Sequence, residues 1–172
     1  DGISLKENSL LKKEEYILDI GKDGITLTSS CDEGLFRAVT YLWQLVKRKG
    51  NELPCLHIED EPQLPRRGYM YDISRGRMPK VETFKKIIDV LCIFKYNEFQ
   101  IYMEGDCFKY SKYPNYAKDF DCLTSDDIKE LEKYCEERFI DLVPNQNSFG
   151  HLGTWLKYDE FISSISAIIA KE

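Results

Sequence analysis

The sequence predicts an α/β protein in two parts, a small ββαβ unit followed by an open parallel sheet of alternating strands and helices. Two alternating strand patterns flank a glycine turn near the start of the chain. Pro62 and Pro65 then interrupt the pattern, because prolines this close together fit neither a helix interior nor a central strand. Strand and helix patterns alternate after them, which is typical of βα units. We therefore predict domains at residues 1–62 and 63–172.

The ββαβ unit is predicted over residues 15 to about 60, after a polar, frayed or edge segment at 1–14. Residues 16–20 alternate as a strand, residues 21–24 form a glycine turn, and residues 25–28 return as a second strand. Ser30 and Glu33 have the spacing of a capping box at the start of a helix that ends at Gly50. The predicted apolar stripe of this helix is Leu35, Val39, Leu42 and Val46, widened by Phe36 and Trp43. Residues 55–58 form the last strand.

Three further strands are predicted after the prolines. Residues 68–73 are almost continuously apolar, as expected for a parallel strand that is buried on both faces. The other elements are a helix that begins at Pro79, a strand over 99–103, a helix capped by Thr124 and Asp127, and a strand over 140–144. An apolar or amphipathic helix is predicted over residues 163–172.

Composition excludes several classes of protein. The 172 residues carry 24 Lys and Arg against 30 Asp and Glu, a net charge of −6, which argues against nucleic acid or an anionic membrane as the partner. No apolar run approaches the length of a membrane span, and no signal segment opens the chain. Six cysteines without a C-x-x-C pair indicate reduced thiols and a cytoplasmic location. Two histidines without metal spacing predict no metal site, and we expect no cofactor because phosphate-binding glycine loops are missing.

Three polar loops follow the predicted parallel strands, and ligands of βα folds bind at such loops. The loops cover residues 72–77, 104–106 and 145–151. Together they could form one pocket rim, in which carboxylates beside a histidine suit proton transfer. Arginine and amide side chains, here those of Asn145 and Asn147, suit binding of sugar hydroxyls.

A structural interpretation of each loop also stays open. Asp72 and Arg75 could form an ion pair that only holds its loop, and Glu104 and Asp106 could be solvated acids. His151 could cap a helix or lie buried with its hydrogen bonds satisfied. The amides of the third loop could serve only the backbone of that loop.

Three segments resemble glycoside hydrolase family 20, the β-N-acetylhexosaminidases. Residues 66–75 (RRGYMYDISR) resemble the segment that opens the barrel of this family, and residues 143–151 (VPNQNSFGH) resemble its third-strand segment. Residues 32–42 (DEGLFRAVTYL) are similar to the helix of the small domain before the barrel. The resemblance covers about residues 15–160 and implies that the parallel strands are about the first three βα units of a (β/α)8 TIM barrel.

The resemblance also implies roles for individual residues. Arg67 matches the arginine that binds sugar hydroxyls, and His151 matches the histidine that supports the catalytic acid through a relay. Glu104 is the first choice for the acid of that relay and Asp106 the second. Where the family commonly has His and Asp-Asp around the second strand, this chain has Gln100 and the segment 104–106, which looks more like the branch related to hexosaminidase D.

The activity implied by the resemblance is release of terminal N-acetylhexosamine from glycans or glycosides by substrate-assisted retaining hydrolysis. The Asp-Glu pair of the family is expected after a fourth strand, beyond Glu172, so we expect residues 1–172 alone to be an inactive N-terminal fragment. An exposed barrel edge predicts a homodimer, swapped or edge-paired, or marginal solubility of the isolated chain. The alternatives are a non-catalytic carbohydrate-binding or interaction module on a half-barrel, and a different barrel glycosidase with a similar small domain.

Overall fold

The structure is a computed structural model that describes residues 2–50, 52–76, 78–113, 115–117, 121–148, 150, 151, 153 and 155–157. It confirms the α/β class and divides into two compact units. The first unit contains the residues up to Arg67 together with Val90–Tyr96, and the second contains Gly68–Asp89 and the residues from Asn97 onward. The helix predicted over 163–172 lies outside the described residues. Among those described, no helix combines the length and the apolar character that a membrane crossing needs.

The first unit contains a four-stranded sheet in the order β1-β3-β2-β4. The strands are β1 (Ile3–Glu7), β2 (Tyr16–Gly21), β3 (Gly24–Ser29) and β4 (Leu56–Asp60). β2 pairs antiparallel with β3 and β4, whereas β1 pairs parallel with β3. The predicted ββαβ pattern therefore lacked one strand. β1 carries no buried residue, and it lies at an edge of the sheet, where its backbone pairs with β3.

The helix of the first unit, α1 (Asp32–Lys49), packs on this sheet through part of the predicted stripe. Ala38 and Leu42 are buried on it, with the strand residues Tyr16, Leu18, Ile20 and Leu27. The predicted stripe was partly wrong, because Val39 and Val46 are 47% and 41% exposed. A β-carbon on Gly34 would lie 2.6 Å from the carbonyl oxygen of Glu15, so the glycine allows a close approach at a helix face that the apolar pattern did not select.

The capping box predicted for α1 is wrong. Cys31 is the residue at the N-cap, and its side chain makes no capping hydrogen bond. The Ser30 hydroxyl donates instead to the carbonyl of Lys12, and the Glu33 carboxylate forms ion pairs with Lys13 and Arg37. Contacts with other residues thus take the place of the capping hydrogen bonds predicted between Ser30 and Glu33. The predicted end of the helix is confirmed, because Gly50 caps it with a φ of 70°.

The second unit contains the three-stranded sheet β5-β6-β7, whose pairs are both parallel, as predicted. Its strands are β5 (Gly68–Asp72), β6 (Glu98–Met103) and β7 (Asp141–Gln146). The helices α2 (Val81–Ile93) and α3 (Ser125–Glu136) separate them along the chain. The buried apolar residues of this unit include Phe84, Ile88, Phe99, Ile101, Met103, Leu131, Cys135 and Ile140.

The structure of the second unit checks two predictions made from local sequence patterns, the capping box of α3 and the burial of β5. The capping box of α3 is confirmed, since Thr124 Oγ1 accepts from the Asp127 backbone and Asp127 Oδ2 accepts from the Thr124 backbone. The burial predicted for β5 is wrong, because Tyr69 and Met70 are 40% and 55% exposed. β5 is an edge strand of the three-stranded sheet, so its apolar residues have a neighbouring strand on one side only.

Candidate functional site

A cavity of about 740 Å³ lies at the carboxyl ends of the three parallel strands. The residues after β5 contribute Ser74, those after β6 contribute Glu104 and Asp106, and those after β7 contribute His151. Asp121, from the segment before α3, adds a third acid. The volume is in the range of small-molecule sites, and the lining is rich in acids. The three loops that the sequence singled out therefore do meet at one cavity.

Glu104 is the centre of the polar network at this cavity. Glu104 is 8% exposed, and both of its carboxylate oxygens are hydrogen-bonded. The Arg75 guanidinium donates to both oxygens, and the Tyr102 hydroxyl donates to Oε1 at 2.6 Å. The hydrogen bonds from Arg75 and Tyr102 lower the pKa of Glu104 to about 2 against the smaller opposing effect of burial. Glu104 is therefore an anion at any ordinary working pH.

The structure brings His151 to this anion. Its Nδ1 lies 3.5 Å from Oε2 of Glu104. A carboxylate only accepts hydrogen bonds, so this neighbour favours the proton on Nδ1 and leaves Nε2 as the acceptor nitrogen of the neutral ring. His151 has a φ of 56°, the left-handed region that non-glycine residues seldom adopt. The His151 side chain is 58% exposed, so a ligand or a further side chain can reach its ring.

Asp106, the second-choice acid, lies in a different environment. Its Oδ1 is buried and has no hydrogen-bond partner in the described part of the chain. Burial raises the pKa of its carboxyl, and the charge of Lys157 opposes this effect. Within the residues described here, no hydrogen bond or ion pair joins Asp106 to His151, whereas Glu104 is in contact with the ring. The geometry thus favours Glu104 over Asp106 as the partner of His151.

The two asparagines proposed to bind sugar lie at the end of β7. Asn145 is in register with Tyr102 of the neighbouring strand. The Asn147 amide donates to the Tyr102 hydroxyl at 2.7 Å, and its Oδ1 accepts from the Gly150 backbone at 3.1 Å. Asn147 thus supports the loop that leads to His151. Whether either amide also binds a sugar stays a prediction.

Arg67 lies in the first unit, and its guanidinium is hydrogen-bonded there. It donates to the carboxylate of Glu14 and to the carbonyls of Leu64 and Lys95, the last two at 2.7 Å. Arg67 is not among the described residues that line the cavity. Its role in binding sugar hydroxyls stays a prediction, which these contacts neither require nor prevent.

Sequence reasoning missed two members of the network. The ion pair of Arg75 with Asp72 is present at 3.7 Å, but the sequence did not indicate the two-point hydrogen bond of Arg75 to Glu104. Tyr102 was not singled out. Strand alternation could have found it, because residues 102 and 104 project on the same side of β6. Ser74, whose hydroxyl accepts from the Glu104 backbone, was within a named loop.

The described residues contain no group of three or more His, Cys, Asp or Glu side chains arranged to hold a metal ion. None of the six cysteines, all within the described part, forms a disulfide bond, and three of them are buried. What the cavity offers chemically is a fixed carboxylate, a histidine beside it and a second acid whose pKa is raised.

Two family models match consecutive parts of the chain. The model described as "Glycosyl hydrolase family 20, domain 2" matches residues 1–61, and that described as "Glycosyl hydrolase family 20, catalytic domain" matches residues 65–170.

Individual relatives agree with these matches. The chain is 28% identical to a β-hexosaminidase of Porphyromonas gingivalis over 82% of its own length and 21% of that protein. It is 27% identical to a β-hexosaminidase of Akkermansia muciniphila over 87% of its own length and 34% of that protein. Its fold matches that of the β-N-acetylhexosaminidase of Bacteroides fragilis with a TM-score of 0.81 and 25% identity, over 90% of this chain and 35% of the other. The chain therefore spans a fifth to about a third of the length of these relatives.

Proposed function

The chain belongs to glycosyl hydrolase family 20, and from this premise we propose that it is the N-terminal part of a β-N-acetylhexosaminidase-like glycoside hydrolase. The domain boundary proposed near residues 62–63 falls between the two family matches. The three parallel strands β5, β6 and β7 are proposed to be the first three of a (β/α)8 barrel. The substrate class is glycans or glycosides that end in N-acetylhexosamine.

The contact of Glu104 with His151 supports this proposal most directly. In substrate-assisted retention the acetamido oxygen of the substrate attacks the anomeric carbon, while an enzyme acid protonates the departing oxygen. Nδ1 of His151 lies 3.5 Å from the Glu104 anion, and Nε2 is proposed to be available to a catalytic carboxyl group from a later part of the barrel. His151 then holds that group in the protonation state that the step needs. Arg67, Asn145 and Asn147 are proposed to bind the sugar.

The test is hydrolysis of phenyl N-acetyl-β-glucosaminide, an aryl substrate whose poor leaving group needs a proton, by a longer form of the protein that carries residues 1–172 with a complete barrel. His151→Ala is expected to lower kcat about 10²- to 10⁴-fold with little change in KM, the range for loss of acid–base support. His57→Ala is the matched control, because this other histidine is hydrogen-bonded to Asp19 and Glu59 on the sheet of the first unit. Equal kcat values for both variants would refute the relay.

Residues 1–172 alone are expected to give no measurable turnover, since the resemblance puts the acetamido-orienting Asp-Glu pair after a fourth strand. Turnover by this chain would contradict the proposal that it needs further barrel strands. Saturable binding of N-acetylglucosamine to a longer form that never hydrolyses would instead favour the carbohydrate-binding module.

We also propose that the isolated chain forms a homodimer through an exposed edge of its parallel sheet. Tyr69 and Met70 on the edge strand β5 are exposed, and unpaired strand edges promote pairing between chains. Light scattering is expected to show a dimer, and Tyr69→Lys on the same edge is expected to shift it toward monomer. A wild-type chain that is monomeric at high concentration would contradict this proposal.

A further inference from the structure

One guanidinium connects the ends of two parallel strands at the cavity. Arg75 comes from the residues after β5, and its Nη1 and Nη2 bind the two carboxylate oxygens of Glu104 after β6, the second at 3.0 Å. The Glu104 backbone N–H donates to Ser74 Oγ at 2.7 Å, so the same two loops are also joined through the main chain. Glu104 is thus held at both ends, by its backbone and by its carboxylate.

The two-point contact fixes the plane of the carboxylate. Arginine forms two parallel hydrogen bonds with a carboxylate only when the two planar groups are nearly coplanar. Oε1 also accepts from Tyr102, so the oxygen left beside the histidine is Oε2. Rotation of the carboxylate would break both arginine bonds at once. The orientation of Oε2 toward Nδ1 of His151 therefore depends on Arg75.

We propose that Arg75 is a positioning residue, which keeps Glu104 ionised and turned toward His151 and so controls the proton relay at the cavity. The relay part of this inference rests on the proposed function, whereas the control of Glu104 by Arg75 does not. Arg75 acts through Glu104 and need not touch the substrate.

The simpler alternative is that Arg75 only ties two loops together. The two roles differ in what they predict for the charge of Glu104. The titratable groups in contact with its carboxylate are Arg75, Tyr102 and His151, one from the region of each strand. Asp72 lies 3.7 Å from Arg75, and Asp106 and Asp121 line the same cavity. Arg75 is thus the only permanent cation in that contact shell of described residues, and its removal leaves Glu104 among acids.

The first experiment follows the Glu104 carboxyl by ¹³C NMR in the 172-residue chain, with Glu104→Gln to assign its signal. In the wild type the signal is expected to stay that of the anion down to pH 3. In Arg75→Gln it is expected to titrate nearer the ordinary glutamate value of about 4.3, with Arg75→Lys in between. Arg138→Gln is the control, because it removes an arginine–carboxylate pair with Asp89 in the same unit. Unchanged titration in Arg75→Gln would overturn the inference.

The second experiment separates positioning from mere loop support, in the longer, hydrolytically competent form. Methyl N-acetyl-β-glucosaminide has a leaving group that needs a proton, whereas the 2,4-dinitrophenyl glycoside does not. Arg75→Gln is expected to lower kcat about 10- to 100-fold on the first and less than about threefold on the second, with partial recovery in Arg75→Lys. An equal loss on both substrates, or no loss, would overturn the relay part of the inference.

These outcomes distinguish the inference from the proposed function. A wild-type protein without hexosaminidase activity refutes the proposed function, and the NMR titration still decides whether Arg75 controls Glu104. An active wild type with identical losses on both substrates refutes the positioning role and leaves the proposed function standing.

Discussion

Each of the two units contains a polar network around one buried charge, and the two networks have opposite signs. In the first unit the Arg37 side chain is 1% exposed and lies between the carboxylates of Glu14 and Glu33. In the second unit the Glu104 side chain is 9% exposed, while its partners Arg75 and His151 are 61% and 58% exposed. A buried cation with mostly buried acids is out of reach of a ligand, so we expect it to support the fold. A buried acid whose partners face an open cavity can act on what enters it.

The residues around the two networks differ in the same way, with structural contacts in the first unit and contacts that lead to the cavity in the second. In the first unit Lys13 adds a second cation to Glu33, and Arg67 adds one to Glu14. A separate cluster in that unit holds Lys95 against Asp60, with the Tyr16 ring 4.9 Å from its Nζ. In the second unit the network adds Tyr102 and the Asn147 amide, which lead to the His151 loop.

The largest effect is expected from Arg37→Met. It leaves two largely buried carboxylates without their shared cation, and breaking a buried ion pair in this way costs about 3–5 kcal/mol of unfolding free energy. Urea denaturation of the 172-residue chain measures the loss. Arg48→Met, an exposed position in the last turn of the same helix, is expected to stay within about 0.5 kcal/mol of wild type. A similar small change in both variants would mean that the first network does not hold the fold.

Arg67→Ala tests whether Arg67 binds the sugar or only supports the polar network of the first unit. If Arg67 binds sugar hydroxyls, its loss weakens transition-state binding by roughly 1.5–3 kcal/mol, which kcat/KM of the longer form measures. Glu14→Gln is the companion variant, because it removes the carboxylate that Arg67 and Arg37 share in the first unit. We expect Glu14→Gln to lower stability and leave kcat/KM unchanged. Equal losses of kcat/KM in both variants would assign Arg67 to the structural network alone.

Acid is expected to weaken the second network in a defined range. The pKa of Glu104 is lowered in the folded state to about 2, so its stabilising contribution is present above the unfolded value of about 4.3 and is lost as the pH falls toward 2. Between pH 4.5 and 2 the unfolding free energy should therefore fall more steeply for wild type than for Glu104→Gln. Glu132→Gln, at an exposed position of α3, should keep the wild-type slope. Parallel slopes for wild type and Glu104→Gln would contradict the ionised network.

The smallest effect is expected at His57, on the exposed face of the first sheet. Hydrogen bonds to Asp19 and Glu59 raise its pKa above 6.5. A raised pKa stabilises the fold below the unfolded value, and this contribution is lost as the pH rises through the folded value. Stability of wild type should thus decline slightly above pH 6.5, and His57→Gln should remove that decline. Asp19→Asn should reduce it as well, and a decline that persists in both variants would have another cause.

The sequence alone was sufficient where the deciding contacts are local. The hairpin of β2 and β3 follows from alternation and two glycines, and Gly24 has a φ of 141° that other residues seldom adopt. Thr124 and Asp127 cap α3 because each bonds the backbone of the other within one helical turn. The parallel order of β5, β6 and β7 follows from helices between strands. The family resemblance followed from short ordered motifs.

Only the tertiary structure decided contacts between residues that are distant in the chain. Ser30 and Glu33 have the spacing of Thr124 and Asp127, but Lys12 and Arg37 provide competing partners. Local spacing determines which capping hydrogen bonds can form. The relative free energies of these bonds and of the competing contacts with distant residues determine which of them do form.

The dependence on contacts between distant residues also explains why the sequence predicted only part of the candidate site. The sequence indicated that the polar loops after β5, β6 and β7 meet, since the carboxyl ends of parallel strands lie at one edge of a sheet. It could not indicate that Arg75 would bind Glu104, 29 residues away, as well as Asp72, three residues away. Strand register determines this contact, because it brings the end of β5 beside the end of β6 and allows two hydrogen bonds from Arg75 to Glu104.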